Sequence, residues 1–351
     1  MDFTKKGAVK AQKELVSKLP RHRRKLNISV FKLILVLVLA IVIVGVGAGF
    51  GALKGILDDT PNINADALIP KGYKTTLVYQ NGKEITTLAN SNSNREYVYY
   101  DSIPEDLVNA FVAIEDRRFW EHNGIDVQGI ARAFIKGLKS GDFDEGASTL
   151  TQQLIKNNVF NVGLNESTFL DKLERKVQEQ YLAVDMEKKI DKKSIVEYYL
   201  NTIYLGEGCY GVETAAKTYF GKELSQLSVS ECAVLAAIPQ NPTKYDPLLS
   251  PDDNKSRRTQ VLKYMLDLEY ITQAQYDEAI NDNVYKRIAS VSKKEEKEQK
   301  TEVNSYYTDE VIKQLQNDLV AKGYSEDEAE TLIWSGGLLS LIHISEPTRR
   351  S

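Results

Sequence analysis

From Leu33 to Leu53 every residue is apolar or glycine, and none carries a charge. At about 1.5 Å of rise per residue, a helix of this length crosses a hydrocarbon core of roughly 30 Å. A helix buried in a protein core would need neither so long an apolar run nor a strongly basic segment next to it. The sequence therefore predicts one transmembrane helix at residues 33–53, followed by a separately folded part of the chain.

The segment before this run, residues 1–32, contains ten lysine or arginine residues and only two acidic ones. The positive-inside preference therefore predicts a cytoplasmic N-terminal tail and a location outside the cytoplasm for everything after residue 53. A cleaved signal peptide would have a shorter apolar centre and a small-residue cleavage site. The four glycines between residues 45 and 51 leave cleavage open, but the length of the run favours a retained anchor.

The remaining composition excludes few classes of protein. The formal net charge of the 351-residue chain is −4, which argues against nucleic acid as the main partner. The two cysteines, Cys209 and Cys232, do not form a disulfide framework in a chain of this length, and their spacing fits no metal site. The two cysteines could form one disulfide bridge with each other, or each could be buried as a free thiol, and the sequence leaves both possibilities open.

A short β-rich entry precedes the main part of the chain. Residues 54–72 contain two prolines and are predicted to form a linker next to the membrane. After it, Asn81-Gly82 lies between two β-prone runs, Thr75–Tyr79 and Lys83–Leu88. Asn-Gly between such runs is a strong hairpin signal. We therefore expect a β hairpin here.

From residue 101 onward the apolar periodicity is helical. Helix N-caps are predicted at Asp126, Ser167, Asp191 and Ser228. The pattern predicts a mainly α domain with a small β-hairpin entry at residues 73–290. Residues 291–338, which include a run of charged residues, are predicted to be a linker and the start of a following region.

A candidate catalytic carboxylate lies at the end of the first of these helices. Leu107, Phe111 and Glu115 are spaced at i, i+4 and i+8, so Glu115 extends an apolar stripe. A carboxylate at the end of an apolar face is partly removed from water, which suits it to accept a proton near neutral pH. Glu115 is therefore the candidate general base.

The block Gly146–Asn157 has the features of an anion-binding segment. A loop that contains a glycine leads into a helix N-terminus that Ser148 or Thr149 can cap. The free backbone N–H groups of a first helical turn favour a phosphate or another anion. Lys156 follows two turns later on the same face as Gln152. The block therefore predicts a phosphate-binding site beside the candidate base.

A second carboxylate, Glu179, has two interpretations from its surroundings. Arg175 lies one helical turn before it, so the simplest interpretation is an ordinary surface ion pair. Leu182 and Met186 continue the same face, which places Glu179 at a border between polar and apolar surface. Local sequence alone does not decide between a surface pair and a functional group.

Five sequence blocks together carry a family resemblance. The first is Glu-Asp-x-x-Phe-x-x-His-x-Gly from Glu115, the second is Gly-x-Ser-Thr-x-Thr-Gln-Gln-Leu-x-Lys-Asn from Gly146, and the third is Arg-Lys-x-x-Glu from Arg175. Residues 193–201 and 257–262 supply the fourth and fifth. In this order they resemble the motifs of the peptidoglycan glycosyltransferase family, found in class A penicillin-binding proteins and in monofunctional transglycosylases.

The resemblance covers roughly residues 75–337 and implies a lysozyme-like fold. It also implies polymerisation of lipid II, a disaccharide-peptide on a polyprenyl pyrophosphate, with Glu115 as the base and Glu179 as the second glutamate of the cleft. Lys156, Arg175 and Lys176 are expected to bind the pyrophosphate. The other residues expected to bind substrate are Asp116, Ser148, Thr149, Gln152, Gln153 and Asn157.

The resemblance also sets expectations about ligands and partners. Glu179 could hold substrate, or it could position a divalent cation, Mg²⁺ or Mn²⁺, on the pyrophosphate. The sequence does not distinguish between these two roles. Family members bind the phosphoglycolipid moenomycin. Lipid II, the nascent glycan strand, the membrane and a cell-wall synthesis complex are the expected partners. His122 and Asn201 are expected to hold local structure rather than to react.

Two other functions fit parts of the pattern. A lysozyme-like lytic enzyme also uses a glutamate in a helical cleft, but it needs neither a pyrophosphate site nor an anchor. A non-catalytic wall-binding module would not need Glu115 and Glu179.

The last residues, 339–351, look like the translation of a sequencing adapter and are therefore expected to play no part in the fold. We expect the full-length parent to continue into a penicillin-binding transpeptidase domain. We expect no part of the chain before residue 339 to form that domain with its Ser-x-x-Lys acylation motif, so the chain as given should not be acylated by β-lactams.

Overall fold

The computed structural model describes residues 4–82, 84–90, 93–140, 146–160, 168–288, 290–291 and 306–342. The chain divides into two compact units, with the boundary between Pro61 and Asn62.

The first unit is dominated by one long helix, α1 (Lys5–Asp58), whose first turn is capped by the Thr4 hydroxyl. An 18-residue window of its segment Phe31–Asp58 has a mean hydropathy of 3.0 and contains no buried residue, and within the described residues this is the one helix long and apolar enough to cross a membrane. The apolar helix predicted at 33–53 is thus confirmed, with wider bounds. No proline interrupts the chain from Arg21 to Asp58, so the helix continues on both sides of the apolar run.

The second unit begins with the predicted hairpin. Strands β1 (Thr75–Tyr79) and β2 (Glu84–Leu88) pair antiparallel around the Asn-Gly turn, with a bulge between Leu77 and Val78. The glycine of the turn, Gly82, has a φ of +81°, which glycine adopts without strain. The hairpin prediction is confirmed.

The hairpin is covered by residues that the sequence pattern assigned to a linker. Helices α11 (Tyr306–Ala321) and α12 (Glu326–Ser335) pack beside it, and Leu77, Leu88 and Ile333 form a small separate core. The boundary predicted at residue 290 therefore differs from the structure, which does not divide there. The physical reason is that a two-stranded hairpin must cover its apolar face to be stable.

A third strand, β3 (Leu339–Ile342), pairs parallel to β1 in the strand order β2-β1-β3. These four residues belong to the stretch that resembles an adapter sequence, and the expectation that this stretch plays no part in the fold was wrong for the strand. Pairing along β1 requires backbone groups and β-compatible side chains, which Leu-Ser-Leu-Ile supplies. The origin of residues 339–351 stays a prediction, and residues 343–351 lie outside the described part.

The predicted linker 54–72 is also shorter than expected. Helix α1 runs to Asp58, and a 3₁₀ turn forms at Ala65–Leu68. Leu68 is fully buried in the main core, so burial of this side chain ties the segment to the second unit.

The rest of the second unit is helical, as predicted. The helices are α2 (Glu105–Glu115), α3 (Val127–Ser140), α4 (Leu150–Asn158), α5 (Phe169–Met186), α6 (Lys192–Thr202), α7 (Val212–Phe220), α8 (Val229–Ala236), α9 (Pro251–Asp267) and α10 (Gln273–Asn281). The apolar stripe of α2 packs on α8 and α9, and α4 packs on α5 and α6. This packing fixes the ends of α2, α4, α5 and α9 relative to one another.

Three of the four predicted helix caps are found. Asp126 accepts from the Gly129 N–H at 2.8 Å, Asp191 caps α6, and Ser228 forms a capping box at α8. Ser167 lies outside the described residues, and Thr168 caps α5 through a capping box instead. The α5 helix ends at Met186.

Two further expectations concern single side chains. Cys209 and Cys232 are both buried and free, so of the two open alternatives the structure contains separate thiols. Asn201 is fully buried, and its side chain exchanges two hydrogen bonds with the Val98 backbone at 2.8 and 2.9 Å. Its predicted structural role is therefore what the structure shows.

Candidate active site

Five helices of the second unit line a polar cleft of about 570 Å³. The lining contains predicted residues from all of the first three sequence blocks: Glu115, Asp116, Ser148, Thr149, Gln153, Lys156, Lys176 and Glu179. It also contains side chains that were not predicted, among them Arg117, Arg132, Arg257 and Gln260. Residues far apart in the sequence are thus brought to one concave surface.

Glu115 is the last residue of α2, and its side chain is 10% exposed. Leu107 and Phe111 are buried on the same face, so packing of the apolar stripe carries the carboxylate to the cleft. The Gln153 Nε2 group donates to Glu115 Oε2 at 2.8 Å, and Arg257 Nη2 lies 3.5 Å from Oε1. Glu115 therefore faces the cleft from a partly desolvated position with two donors beside it.

The next residue, Asp116, has a structural role in addition to its place in the cleft lining. Its side chain is buried, one oxygen accepts from the Leu150 N–H at 3.0 Å, and His122 Nε2 lies 2.9 Å away. Asp116 thus satisfies a backbone donor at the start of α4 and holds His122 in place. These contacts connect the first and second sequence blocks, and the contact of Asp116 with substrate stays a prediction.

We expect Asp116→Asn to lower the free energy of unfolding by about 1–3 kcal/mol, because the buried Leu150 N–H and His122 lose a charged acceptor. Urea denaturation of the full chain in detergent would measure this. The matched control is Asp191→Asn at an exposed helix cap, where asparagine caps about as well as aspartate. Equal losses in the two variants would contradict the role given to Asp116.

Thr149 and Gln152 form the capping box of α4. Thr149 Oγ1 accepts from the Gln152 N–H at 3.2 Å and donates to the Gly124 carbonyl at 2.8 Å, and Gln152 Oε1 accepts from the Thr149 N–H. Both side chains are buried. Both side chains therefore have a structural role at the start of the helix, and their contacts with substrate stay predictions.

Glu179 is not a surface residue. Its side chain is completely buried, Arg175 Nη1 donates to Oε1, and Lys176 Nζ donates to Oε2 at 2.7 Å. Lys176 also donates to Ser148 Oγ at 3.0 Å, which links α5 to the loop before α4. Because the buried Glu179 carboxylate accepts from both charged groups, it fixes the positions of the Arg175 and Lys176 side chains relative to each other.

Lys156 differs from these two cations. It lines the cleft from the last turn of α4, and among the described residues no hydrogen bond or ion pair of its ammonium group is found. Burial lowers the pKa of Lys156 from its ordinary value, and the nearby Lys176 and Arg175 lower it further, whereas Glu179 and Glu115 act in the opposite direction. A half-buried ammonium group facing a cleft without an acceptor is suited to an anionic ligand.

The side chains of the cleft do not fit a resident divalent cation. Both oxygens of Glu179 already accept hydrogen bonds from cationic groups. Within the described residues there is no group of three or more His, Cys, Asp or Glu side chains able to hold a metal ion. No chemical step is therefore derived through Mg²⁺ or Mn²⁺.

The cleft lining differs from the predicted set of residues in two ways. Asn157 and Arg175, both predicted to bind substrate, are not among the residues that line the cleft, and Asn157 is exposed. Arg257 belongs to the fifth block but was not assigned to the site, although it lies beside Glu115 and over the Tyr245 ring at 5.3 Å. Arg257 could have been identified as a site residue because it belongs to the fifth sequence block.

Comparison with known proteins gives the family. The model of the family described as Transglycosylase matches residues 81–266, which is more than half of the chain. The chain belongs to this transglycosylase family. The matched segment includes α2, α4 and α5 and nearly all of α9, which are helices that line the cleft.

The transglycosylase chain is similar to parts of longer proteins. It is 51% identical over 187 residues to penicillin-binding protein 1A of Aquifex aeolicus (strain VF5), covering 53% of this chain and 25% of that protein. It is 37% identical over 311 residues to penicillin-binding protein 1A of Clostridium novyi (strain NT), covering 82% and 36%. The chain thus spans about a quarter to a third of the length of these relatives.

A crystal structure of penicillin-binding protein 1A from Haemophilus influenzae matches 62% of this transglycosylase chain and 21% of that chain. The identity is 25%, with a TM-score of 0.35.

Proposed function

We propose that this chain is a peptidoglycan glycosyltransferase that polymerises lipid II into glycan strands and releases polyprenyl diphosphate, in bacterial cell-wall synthesis. The observation that carries the proposal is the shared cleft. It holds a partly desolvated carboxylate, Glu115, and a half-buried ammonium group, Lys156, that has no acceptor among the described residues. Family membership and the similarity to proteins named penicillin-binding protein 1A support the same reaction.

The proposed reaction needs a base and an anion-binding site. Glu115 takes the proton of the acceptor's sugar hydroxyl while that oxygen bonds to the anomeric carbon of the donor. The bond from this carbon to the pyrophosphate oxygen breaks at the same time, and the pyrophosphate leaves with the electron pair. Lys156, Arg175 and Lys176 stabilise the negative charge that develops on the leaving group. Attack without an enzyme-bound sugar inverts the anomeric centre.

The N-terminal sequence supports a location at the cell membrane. In this proposal the apolar segment Phe31–Asp58 is a single-pass helix that anchors the chain in the cell membrane. The basic residues before it favour a cytoplasmic N-terminus and a cleft on the outer side, where lipid II and the growing strand are both tethered. We extend the proposal to membership of a cell-wall synthesis complex, which the family resemblance implies.

Incubation of the purified full chain in detergent with lipid II tests this proposal. Polymeric glycan and free polyprenyl diphosphate are the expected products. Parallel incubation with preformed glycan strands separates the lytic alternative, which would shorten the strands and leave lipid II unchanged. Absence of reaction in both assays would favour a non-catalytic wall-binding module.

A further inference from the structure

The Gln153 side chain lies between Glu115 and a fully buried tyrosine. Its Nε2 group donates to Glu115 Oε2 at 2.8 Å, and its Oε1 accepts from the Tyr199 hydroxyl at 3.1 Å. Tyr199 belongs to α6, and Gln153 belongs to α4, which packs on α6. A continuous chain of hydrogen bonds therefore runs from the interior of the domain to the proposed base.

The tyrosine ring is itself held in a fixed position. Tyr199 is completely buried, and its ring meets Phe111 edge to face with ring centroids 6.3 Å apart. Phe111 lies one helical turn before Glu115 on the same face of α2. The packing of Tyr199 on α2 thus sets its hydroxyl at a defined distance from the residue that contacts Glu115.

The Tyr199 hydroxyl stays protonated and therefore remains a hydrogen-bond donor. Burial raises the pKa of Tyr199 well above its ordinary value, and the nearby Glu115 and Asp116 raise it further, so the phenol stays protonated. A protonated phenol donates to the carbonyl end of an amide, and this directs the N–H₂ end of the same amide away from it. In this site the N–H₂ end meets the Glu115 carboxylate.

We infer that Tyr199 is a positioning residue for the reaction: its hydroxyl holds Gln153 so that the amide N–H₂ group stays on Glu115 and orients the carboxylate toward the cleft. This inference rests on the proposed function for its catalytic meaning. It assigns to Gln153 the support of the base rather than the predicted contact with substrate. Tyr199 acts on the base without touching substrate.

Removal of the hydroxyl should release Gln153. In Tyr199→Phe the buried Oε1 loses its donor, which favours rotation of the amide toward the cleft and withdraws Nε2 from Glu115. The carboxylate then loses one of the two donors beside it, so the NMR resonance of its carboxyl carbon should move. The other charged or titratable groups that face Glu115 are Arg257 from α9 and Lys156 from α4, with Asp116 beside it in sequence, and the substitution leaves all three in place.

Carboxyl ¹³C NMR of the full chain in detergent at one fixed pH, labelled at the glutamate side-chain carboxyl carbon, would detect this loss. The Glu115 resonance is assigned by its disappearance in Glu115→Gln. We expect the Glu115 resonance to move in Tyr199→Phe, because one charge-assisted hydrogen bond to the carboxylate is lost. Gln153→Ala should move the resonance in the same direction, which keeps the test available if Tyr199→Phe folds poorly.

Tyr219→Phe is the matched control. Tyr219 is also a completely buried tyrosine, and its hydroxyl donates to the Leu205 carbonyl at 2.7 Å, away from the cleft lining. Its substitution should cost a similar amount of stability and leave the Glu115 resonance unchanged. An unchanged Glu115 resonance in folded Tyr199→Phe would overturn the inference, and so would an unchanged resonance in Gln153→Ala.

Kinetics on lipid II give a second readout. Tyr199→Phe should lower kcat by about three- to tenfold with little change in KM, because the base is less well oriented while the substrate contacts remain. In the Gln153→Ala background the same substitution should have no further effect, because the two residues act in series. An equally large additional loss in that background would indicate general packing damage and overturn the inference.

The NMR and kinetic results separate this inference from the proposed function. If the Glu115 resonance moves in Tyr199→Phe and Gln153→Ala but the wild-type chain does not polymerise lipid II, the hydrogen-bond chain is supported and the glycosyltransferase proposal is refuted. If the wild type polymerises lipid II but the resonance does not move in the variants, the glycosyltransferase proposal is supported and this inference is refuted.

Discussion

Glu115→Gln should lower the rate of lipid II polymerisation by about 10²–10⁴-fold, the range expected when a general base is removed. The glutamine is nearly isosteric with glutamate, but its amide cannot take the proton of the acceptor hydroxyl. Its carbonyl oxygen can still accept from Gln153 or Arg257, which face the wild-type carboxylate. The variant should therefore fold with little change in thermal stability.

Product analysis with purified enzyme would test this, together with a melting curve of each variant. The matched control is Glu105→Gln, which removes an exposed carboxylate from the first turn of the same helix and should polymerise at the wild-type rate. Near wild-type polymerisation by Glu115→Gln would show that another group takes the proton.

Features that depend on local sequence could be predicted. The Asn-Gly hairpin, the capping box at Ser228 and the apolar stripe that leads to Glu115 each depend on residues within one or two turns of one another. The apolar helix at the N-terminus is likewise a property of one continuous run. Periodicity and capping preferences contain this information directly.

Features that depend on tertiary packing could not be predicted. Gln152 and Gln153 are identical neighbours in sequence, yet one completes the cap of α4 and the other bonds to Glu115. Only the packing of α4 on α6 and the position of the end of α2 beside α4 distinguish them. Likewise, Glu179 resembles a surface residue in its local sequence, but its burial depends on the arrangement of the whole cleft. The helical cover of the hairpin by α11 and α12 joins segments more than two hundred residues apart.

The three cations of the proposed pyrophosphate site are not equivalent. Arg175 and Lys176 are both bonded to the buried Glu179, which offsets part of their charge and fixes their geometry. Lys156 has no such partner among the described residues. Of the three cations, its ammonium group is therefore the one without a hydrogen-bond acceptor among the described residues, and an anionic ligand would supply one.

Lys156→Met should consequently weaken the binding of moenomycin and of lipid-pyrophosphate ligands by about 10- to 100-fold, because one charged hydrogen bond to phosphate is lost. Methionine keeps the apolar stem and removes the charge. The melting temperature should stay the same or rise, since a half-buried ammonium group without an acceptor is replaced by an apolar side chain that packs on the same helix.

Lys189→Met is the matched control for the loss of one lysine charge. Lys189 is exposed and pairs with Asp185 at 2.6 Å, so its removal should change neither ligand affinity nor melting temperature by much. Binding to immobilised moenomycin, measured with both variants at two salt concentrations, would separate a specific contact from general charge attraction. A specific Lys156 contact predicts an affinity difference that persists at high salt, because a desolvated pair is screened less than exposed charges. Unchanged affinity in Lys156→Met, or a difference that disappears with added salt, would remove Lys156 from the pyrophosphate site and leave Arg175 and Lys176 as its cations.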